Sequence, residues 1–136
     1  MLFFYLSGAL PLTFQNPVTE TERSFDQVTA LLKRFPGDIF FEDQGLAIAV
    51  QGHVDYEPYE FALLARRGLW DERKLVERFD KKYFGLVVLN TNLLHPQMKR
   101  TARFNYAVAQ AIRRNYRFAA VYRGYFLLTP IEEKTG

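Results

Sequence analysis

The chain has 136 residues, of which 49% are hydrophobic, 24% are charged and 16% are aromatic, which is the composition of one globular domain and excludes a disordered chain. Without cysteine it has no disulfide, no thiolate nucleophile and no cysteine-bound zinc. A formal net charge of +3 falls well short of the concentrated positive face that nucleic-acid binding usually requires, so nucleic acid is not an expected partner.

The first fourteen residues, MLFFYLSGALPLTF, are strongly apolar but shorter than the roughly 18 to 20 residues of a membrane-spanning helix. They carry no Lys or Arg, which a signal peptide would need near its start. Two interpretations stay open: a buried first segment of the domain, or the end of a membrane helix whose earlier part lies outside the chain. Residues 15–22 are polar, so we divide the chain into an apolar stub and linker over 1–22 and an α/β domain over 23–136.

A capping signal and an apolar stripe predict the first helix. Thr19 and Glu22 are spaced as a capping box, in which each side chain satisfies a free backbone N–H at the helix start. Apolar residues then recur on one helical face until Pro36, which ends the helix. A run of β-type residues predicts the first strand over 38–42.

The middle of the chain carries signals for further helices and a second strand. We interpret the short apolar run 46–50 as a helix, and we predict residues 53–56 as a strand that Pro58 closes. A helix over 59–67 follows. Asp71 then caps another helix, whose apolar stripe faces inward.

The last third of the chain predicts the centre of the sheet. Residues 84–90 are apolar almost throughout, which is typical of a strand buried on both faces. A long helix over 98–115 follows, and strands over 118–122 and 125–129 form a hairpin around Arg123–Gly124. The predicted fold is therefore α/β: a single small domain with a mostly parallel sheet flanked by helices, and a C-terminal β-hairpin whose last strand is antiparallel at an edge.

Acidic and aromatic side chains follow two of the predicted strands. Glu42 and Asp43 end the first strand, and Asp55 and Tyr56 end the second. Neighbouring parallel strands would bring these four residues to one rim of the sheet as a polar pocket. Carboxylates accept hydrogen bonds from sugar hydroxyls and a tyrosine ring stacks on apolar sugar faces, so these four are the candidate ligand-binding residues. The alternative is that the acids only cap free N–H groups of neighbouring helices and turns.

The sequence completes no catalytic or metal-binding pattern. His53 and His95 are far apart and have no metal-ligand spacing, and neither Ser7 nor Ser24 lies in a nucleophile turn. Glycine-rich phosphate loops are absent. We therefore expect no catalytic residue, no metal and no cofactor in this chain.

A basic run follows the loop after the central strand. Lys99, Arg100 and Arg103 are candidate contacts to an anionic surface, such as phosphates or lipid headgroups. The run continues over 113–117 with further arginines and a tyrosine. Its alternative interpretation is the solvated face of an amphipathic helix.

The order of motifs over residues 38–90 resembles a known family. An E-D at the end of the first strand is followed by G-L with a small apolar run, by D-Y-x-P, by F-A-x-L-A-R-x-G-L-W-D and by the strand F-x-L-V-V-L. This order is similar to that of the soluble C-terminal domain of polytopic bacterial glycosyltransferases similar to the dolichyl-phosphate-mannose mannosyltransferases. The segment Arg114–Tyr116 before the Tyr122-x-x-Tyr125 hairpin fits the end of the same domain.

The resemblance implies a domain on the extracytoplasmic face of a bacterial membrane. Such enzymes move a sugar from a polyprenyl-phosphate carrier to an acceptor, and their catalytic acid lies near the first membrane helices, which this chain does not contain. The implied role is therefore non-catalytic help in acceptor recognition, with the membrane-embedded remainder of the parent protein and a sugar acceptor as partners. The alternative is a stand-alone cytoplasmic α/β module that binds nucleic acid or another anionic partner.

Overall fold

A computed structural model describes residues 20–94 and 104–132 of the chain. Within these residues, five helices and a four-stranded sheet form an α/β structure, which confirms the predicted class. The elements are, in chain order, α1 (Glu20–Lys33), β1 (Ile39–Phe41), α2 (Gln44–Gln51), α3 (Pro58–Arg66), α4 (Arg73–Asp80), β2 (Leu86–Leu89), α5 (Tyr106–Asn115), β3 (Tyr116–Tyr122) and β4 (Tyr125–Pro130).

The sheet is mixed, with the strand order β1-β2-β4-β3. β1 and β2 are parallel, with Phe40 opposite Val87, and they form the one parallel pair among the described strands. β4 lies antiparallel between β2 and β3, with Val88 opposite Leu127. The prediction of a mostly parallel sheet with residues 125–129 at an edge is therefore wrong, because two of the three strand pairs are antiparallel and β4 is internal, with β1 and β3 at the edges.

Burial explains why β4 and not β3 lies next to β2. Leu127 and Leu128 are both buried although neighbouring side chains of a strand point to opposite faces, so β4 is covered on both sides. Five consecutive residues of β3, Arg117–Val121, are exposed. A hairpin that follows a helix can place either strand beside β2, and here the strand with the two adjacent leucines, Leu127 and Leu128, takes the buried position.

Residues 53–56 form no strand, contrary to the prediction. They connect α2 to α3, and the Gln51 side-chain amide donates a hydrogen bond of 3.0 Å to the carbonyl of His53. Tyr56 is held beside the sheet by ring contacts, with its ring centroid 5.8 Å from that of Phe40. Strand propensity measures how well a side chain packs on a half-buried surface, and in this segment Tyr56 achieves that packing without a strand ladder.

The helix predicted over 98–115 corresponds to α5 from Tyr106 onward; residues 98–103 of that prediction lie outside the described residues, and residues 104 and 105 are not helical. Asn105 before it is buried and extended, with ψ of 164°. Its side-chain amide donates to the carbonyl of Ala62 and to the carboxylate of Glu72, both at 3.0 Å. These tertiary hydrogen bonds hold Asn105 outside the helix and so determine where α5 starts.

The other predicted helices are confirmed with small shifts at their ends. α1 ends shortly before Pro36, and Thr19 of its capping box lies outside the described residues. α2 covers the apolar run 46–50 and ends at Gly52, whose φ of 84° favours glycine. Among the helices described, none is long and apolar enough to cross a membrane.

Two apolar clusters cover the two faces of the sheet. Phe40 and Val87 pack with α4 and α5 on one face, and Phe41 and Val88 pack with α1 and α2 on the other. All four residues of β2 are buried, which confirms the predicted central strand.

Candidate functional site

The structure separates the four residues predicted to bind a ligand. Glu42 and Asp43 directly follow β1, whereas Asp55 and Tyr56 lie beside the amino end of that strand. Asp43 lines one cleft, Asp55 and Tyr56 line another, and no described residue lines both. The four do not share one pocket, because residues 53–56 are not a strand of the sheet.

Glu42 is a buried carboxylate with internal partners, and only 2% of the residue is exposed. Its Oε1 accepts hydrogen bonds from the backbone N–H groups of Asn90 at 2.7 Å and Thr91 at 3.2 Å. Its Oε2 accepts from the Thr91 hydroxyl at 3.1 Å. Glu42 therefore joins the carboxyl ends of the two parallel strands, which is a structural role.

Asp43 caps α2 and also contacts the hairpin. Its Oδ1 accepts from the backbone N–H of Leu46 at 3.2 Å, and its Oδ2 accepts from the Tyr125 hydroxyl at 2.9 Å. Burial, together with this hydrogen bond to a carboxylate, raises the pKa of the Tyr125 hydroxyl to about 12. The contact with the Leu46 N–H is the one that the capping interpretation of Asp43 predicts, whereas the contact with Tyr125 was not predicted.

A polar cleft of about 480 Å³ lies at this carboxyl end of β1, lined by Asp43, Gln44, Gly45, Glu57, Tyr59 and Asn90. Both of its carboxylates are used as helix caps, since Glu57 accepts from the backbone N–H of Glu60 at 2.8 Å. The polar cleft is therefore lined mainly by residues at the starts of α2 and α3, and Tyr59 is the one aromatic residue among them.

A second cleft, which we call the aromatic cleft, has a volume of about 400 Å³ and is lined by Asp38, Ile39, Gln51, Asp55, Tyr56, Phe61, Trp70, Arg78, Tyr83 and Phe84. Phe61 and Trp70 stack with centroids 4.6 Å apart. Tyr56 stands edge-on to Phe61 and to Phe84, with 6.0 Å between centroids in each pair. Contacts of this kind hold the rings of the cleft in fixed orientations.

Polar groups of both signs lie around these rings. Asp55 is 57% exposed at its side chain and pairs with Nε2 of His53 at 3.2 Å, itself 61% exposed. The Arg78 guanidinium lies over the Tyr83 ring, 4.6 Å from its centroid. Burial raises the pKa of the Tyr56 hydroxyl even though Arg78 opposes this, so Tyr56 stays a neutral donor and acceptor.

Sequence reasoning found two residues of the aromatic cleft, Asp55 and Tyr56, and missed the rest. The missing side chains come from separate segments that only the folded chain brings together. One local signal was available. Trp70 is the only tryptophan of the chain, and it follows directly on Leu69, which is 72% exposed; Trp70 itself packs against the apolar cluster that contains Phe40.

Outside the described residues lie the basic candidates Lys99, Arg100 and Arg103. Later arginines of the same run have partners within the domain. Arg113 donates to the carbonyl of Leu93, and Arg114 donates two hydrogen bonds of 2.9 Å to the carboxylate of Asp80. Over residues 20–94 and 104–132 there is no group of three or more side chains that could hold a metal ion.

No protein-family model matches the chain, and neither does any curated protein or solved structure. Function is therefore inferred from the chemistry of the clefts and from the sequence motifs.

Proposed function

We propose that this domain binds carbohydrate in its aromatic cleft, as the non-catalytic extracytoplasmic domain of a membrane glycosyltransferase that uses a polyprenyl-phosphate-linked sugar. The observation that carries the binding role is the juxtaposition of fixed rings with exposed polar groups in one cleft. The membrane enzyme as parent is supported by the order of motifs over residues 38–90. The expected ligand is the sugar part of the acceptor.

The chemistry of the aromatic cleft suits a saccharide. Its volume of about 400 Å³ lies within the usual range of small-molecule sites. Sugar rings have apolar faces that pack on aromatic side chains, and their hydroxyls both donate and accept hydrogen bonds. Asp38 and Asp55 offer acceptors, Arg78 offers donors, and Gln51 offers both.

The charge of the cleft favours a neutral ligand. Two carboxylates, Asp38 and Asp55, outnumber the single guanidinium of Arg78. Polyphosphates and nucleic acid carry concentrated negative charge, which the two carboxylates repel. A neutral saccharide is thus a better ligand for this cleft than the nucleic acid of the alternative interpretation.

Trp70 makes the binding proposal directly testable, because the only tryptophan of the chain lines the cleft. Titration with neutral monosaccharides and disaccharides should change the Trp70 fluorescence with a saturating dependence on concentration. Asp55→Ala should weaken binding about tenfold, since it removes a charged acceptor from the cleft. Asp26→Ala, an exposed acid on α1, is the matched control and should leave the affinity unchanged.

Two results would contradict the binding role: no saturable response to any saccharide of the panel, or an Asp55→Ala variant that binds as the wild type does. The non-catalytic part has its own test. The purified chain should transfer no sugar from a polyprenyl-phosphate donor, and measured transfer would refute that part. A reading frame that continues upstream of Met1 through several apolar segments would support the membrane parent, whereas a stop codon there would count against it.

A further inference from the structure

Helix α4 ends in a strained turn beside the aromatic cleft. Lys82 has a φ of 55°, in the left-handed region that favours glycine. Its N–H donates to the carbonyl of Phe79 at 3.0 Å, and the N–H of Tyr83 donates to the carbonyl of Arg78 at 2.8 Å. These two hydrogen bonds form a Schellman motif in which Lys82 occupies the position where glycine is usual. The chain therefore keeps an unfavourable backbone conformation at the residue before Tyr83.

This turn places the Tyr83 ring against the Arg78 side chain. A Schellman motif brings the residue after the left-handed position close to the residue five positions before it, and the two often pack together. Here the contact joins a ring and a cation, with the Arg78 guanidinium 4.6 Å from the centroid of the Tyr83 ring. The same ring stands edge-on to buried Phe84, with 5.2 Å between centroids. A core residue thus fixes the Tyr83 ring, although Tyr83 is 49% exposed.

Arg78 is the one basic side chain among the described residues that line the aromatic cleft. Burial raises the pKa of the Tyr56 hydroxyl, the charge of Arg78 opposes this effect and the charge of Asp55 adds to it, so both charged groups lie near that hydroxyl. A guanidinium only donates hydrogen bonds, whereas a carboxylate only accepts them. A sugar hydroxyl beside Arg78 must therefore act as an acceptor, and one beside Asp55 must act as a donor.

We propose that Tyr83 is a positioning residue of the aromatic cleft, which uses the turn at Lys82 to hold the Arg78 guanidinium as a fixed donor for a saccharide. This inference rests on the proposed saccharide binding and explains how an exposed arginine serves it. An unrestrained arginine loses much rotamer entropy when it binds a ligand. A guanidinium that is ordered before binding avoids this loss, so Tyr83 raises the affinity through Arg78.

A double-mutant cycle separates positioning from direct contact with the sugar, because Tyr83 also lines the cleft. Trp70 fluorescence titrations use the neutral monosaccharide or disaccharide that the wild type binds most tightly. Arg78→Ala should weaken binding about tenfold and Tyr83→Leu about threefold, whereas the double variant should bind no more weakly than Arg78→Ala alone. Tyr83→Phe retains the ring face and should restore most of the affinity that Tyr83→Leu loses.

The control for the cycle is Tyr59→Leu. Tyr59 is 47% exposed, which matches the exposure of Tyr83, and it lines the polar cleft instead of the aromatic cleft. This substitution should leave the affinity for the saccharide unchanged. Circular dichroism and thermal unfolding show whether each variant is folded at the temperature of the titration.

Two substitutions at residue 82 test the turn itself. Lys82 is not among the described residues that line the aromatic cleft. Lys82→Gly and Lys82→Val remove the same charge, but glycine readily adopts a positive φ and β-branched valine does not. Lys82→Val should therefore bind the saccharide about threefold more weakly than Lys82→Gly. If Lys82→Val does not fold, Lys82→Ala replaces it with the same expected direction, since alanine is also unfavourable at this φ.

Three outcomes would overturn the inference while saccharide binding stands. Additive losses in the cycle would mean that Tyr83 contacts the sugar itself, and wild-type affinity in Tyr83→Leu would mean that the ring has no role in binding. Equal affinities of Lys82→Gly and Lys82→Val would show that the turn does not position the ring. No saturable response of the wild type to any saccharide would instead refute the proposed function, and this inference with it.

Discussion

Tyr116 and Tyr125 each bury a phenol hydroxyl that donates a hydrogen bond inside the domain. Tyr116 donates to the carbonyl of Phe84 at 2.8 Å, and Tyr125 donates to the carboxylate of Asp43 at 2.9 Å. Burial is the main cause that raises the pKa of each hydroxyl to about 12. Both residues are therefore neutral in the folded protein up to strongly alkaline pH.

We expect the free energy of unfolding to decrease as the pH rises from about 10 to about 12. In the unfolded chain both hydroxyls ionise near the usual tyrosine pKa of 10.0, whereas the folded protein keeps them protonated up to about 12. The folded state thus binds more protons in this window, and the stabilisation present below pH 10 is lost as the pH rises. Urea denaturation at a series of pH values measures the effect.

Tyr116→Phe and Tyr125→Phe should each make the free energy of unfolding fall less steeply between about pH 10 and pH 12. This change in slope is expected even if the substitution also lowers the free energy of unfolding at neutral pH. Tyr59→Phe is the control, since Tyr59 is 47% exposed. A double variant whose stability falls as steeply as that of the wild type would show that other groups cause the decrease.

The two aspartates of the predicted site should respond differently to truncation. Asp43→Ala removes the N-cap of α2 and the acceptor of Tyr125, so it should lower the free energy of unfolding by about 1–2 kcal/mol. Asp55→Ala should change stability by less than about 0.5 kcal/mol, because its side chain is 57% exposed. Denaturation curves and Trp70 titrations on the same samples separate the structural role of Asp43 from the binding role of Asp55. A large loss of stability in Asp55→Ala, together with weakened sugar binding only in Asp43→Ala, would refute this assignment.

The sequence could not decide between capping and ligand binding for these acids. It correctly placed Glu42 and Asp43 at the end of a strand, but their functions depend on distant partners. The Thr91 hydroxyl that Glu42 accepts from is 49 residues away, and the Tyr125 hydroxyl that Asp43 accepts from is 82 residues away. Side-chain partners at such separations follow from the tertiary fold and leave no local pattern.

At the scale of elements, the sequence correctly predicted features that depend on the backbone of a single residue or a pair of residues, such as helix ends and tight turns. Pro36 ended a helix, and the pair Arg123–Gly124 turned a hairpin, because each acts on the backbone at its own position. The order of the strands in the sheet depends instead on which strand buries more apolar surface. The start of α5 at Tyr106 likewise depends on tertiary hydrogen bonds of Asn105, so helical periodicity alone wrongly included residues 104 and 105 in that helix.

The hairpin turn has a position that can be improved. Arg123 and Gly124 have φ of 52° and 88°, as a two-residue type I′ turn requires. Asparagine adopts positive φ at lower cost than arginine, so Arg123→Asn should raise the free energy of unfolding by about 0.5 kcal/mol. Thermal unfolding measures the change. Arg123→Ala is the control, and a gain in stability there would contradict the conformational explanation.

On the scale of the whole molecule, the β-bulge in β3, where the register with β4 shifts between Phe118 and Ala120, affects how this domain meets other copies of itself. An edge strand of seven residues with exposed apolar side chains is the usual template for strand addition and fibre growth. The extra residue in β3 breaks the regular spacing of backbone N–H and C=O groups and increases the local twist, so a straight strand from another molecule cannot extend the ladder along it. The bulge thus protects the domain against aggregation at the strand that lies exposed at the edge of its sheet.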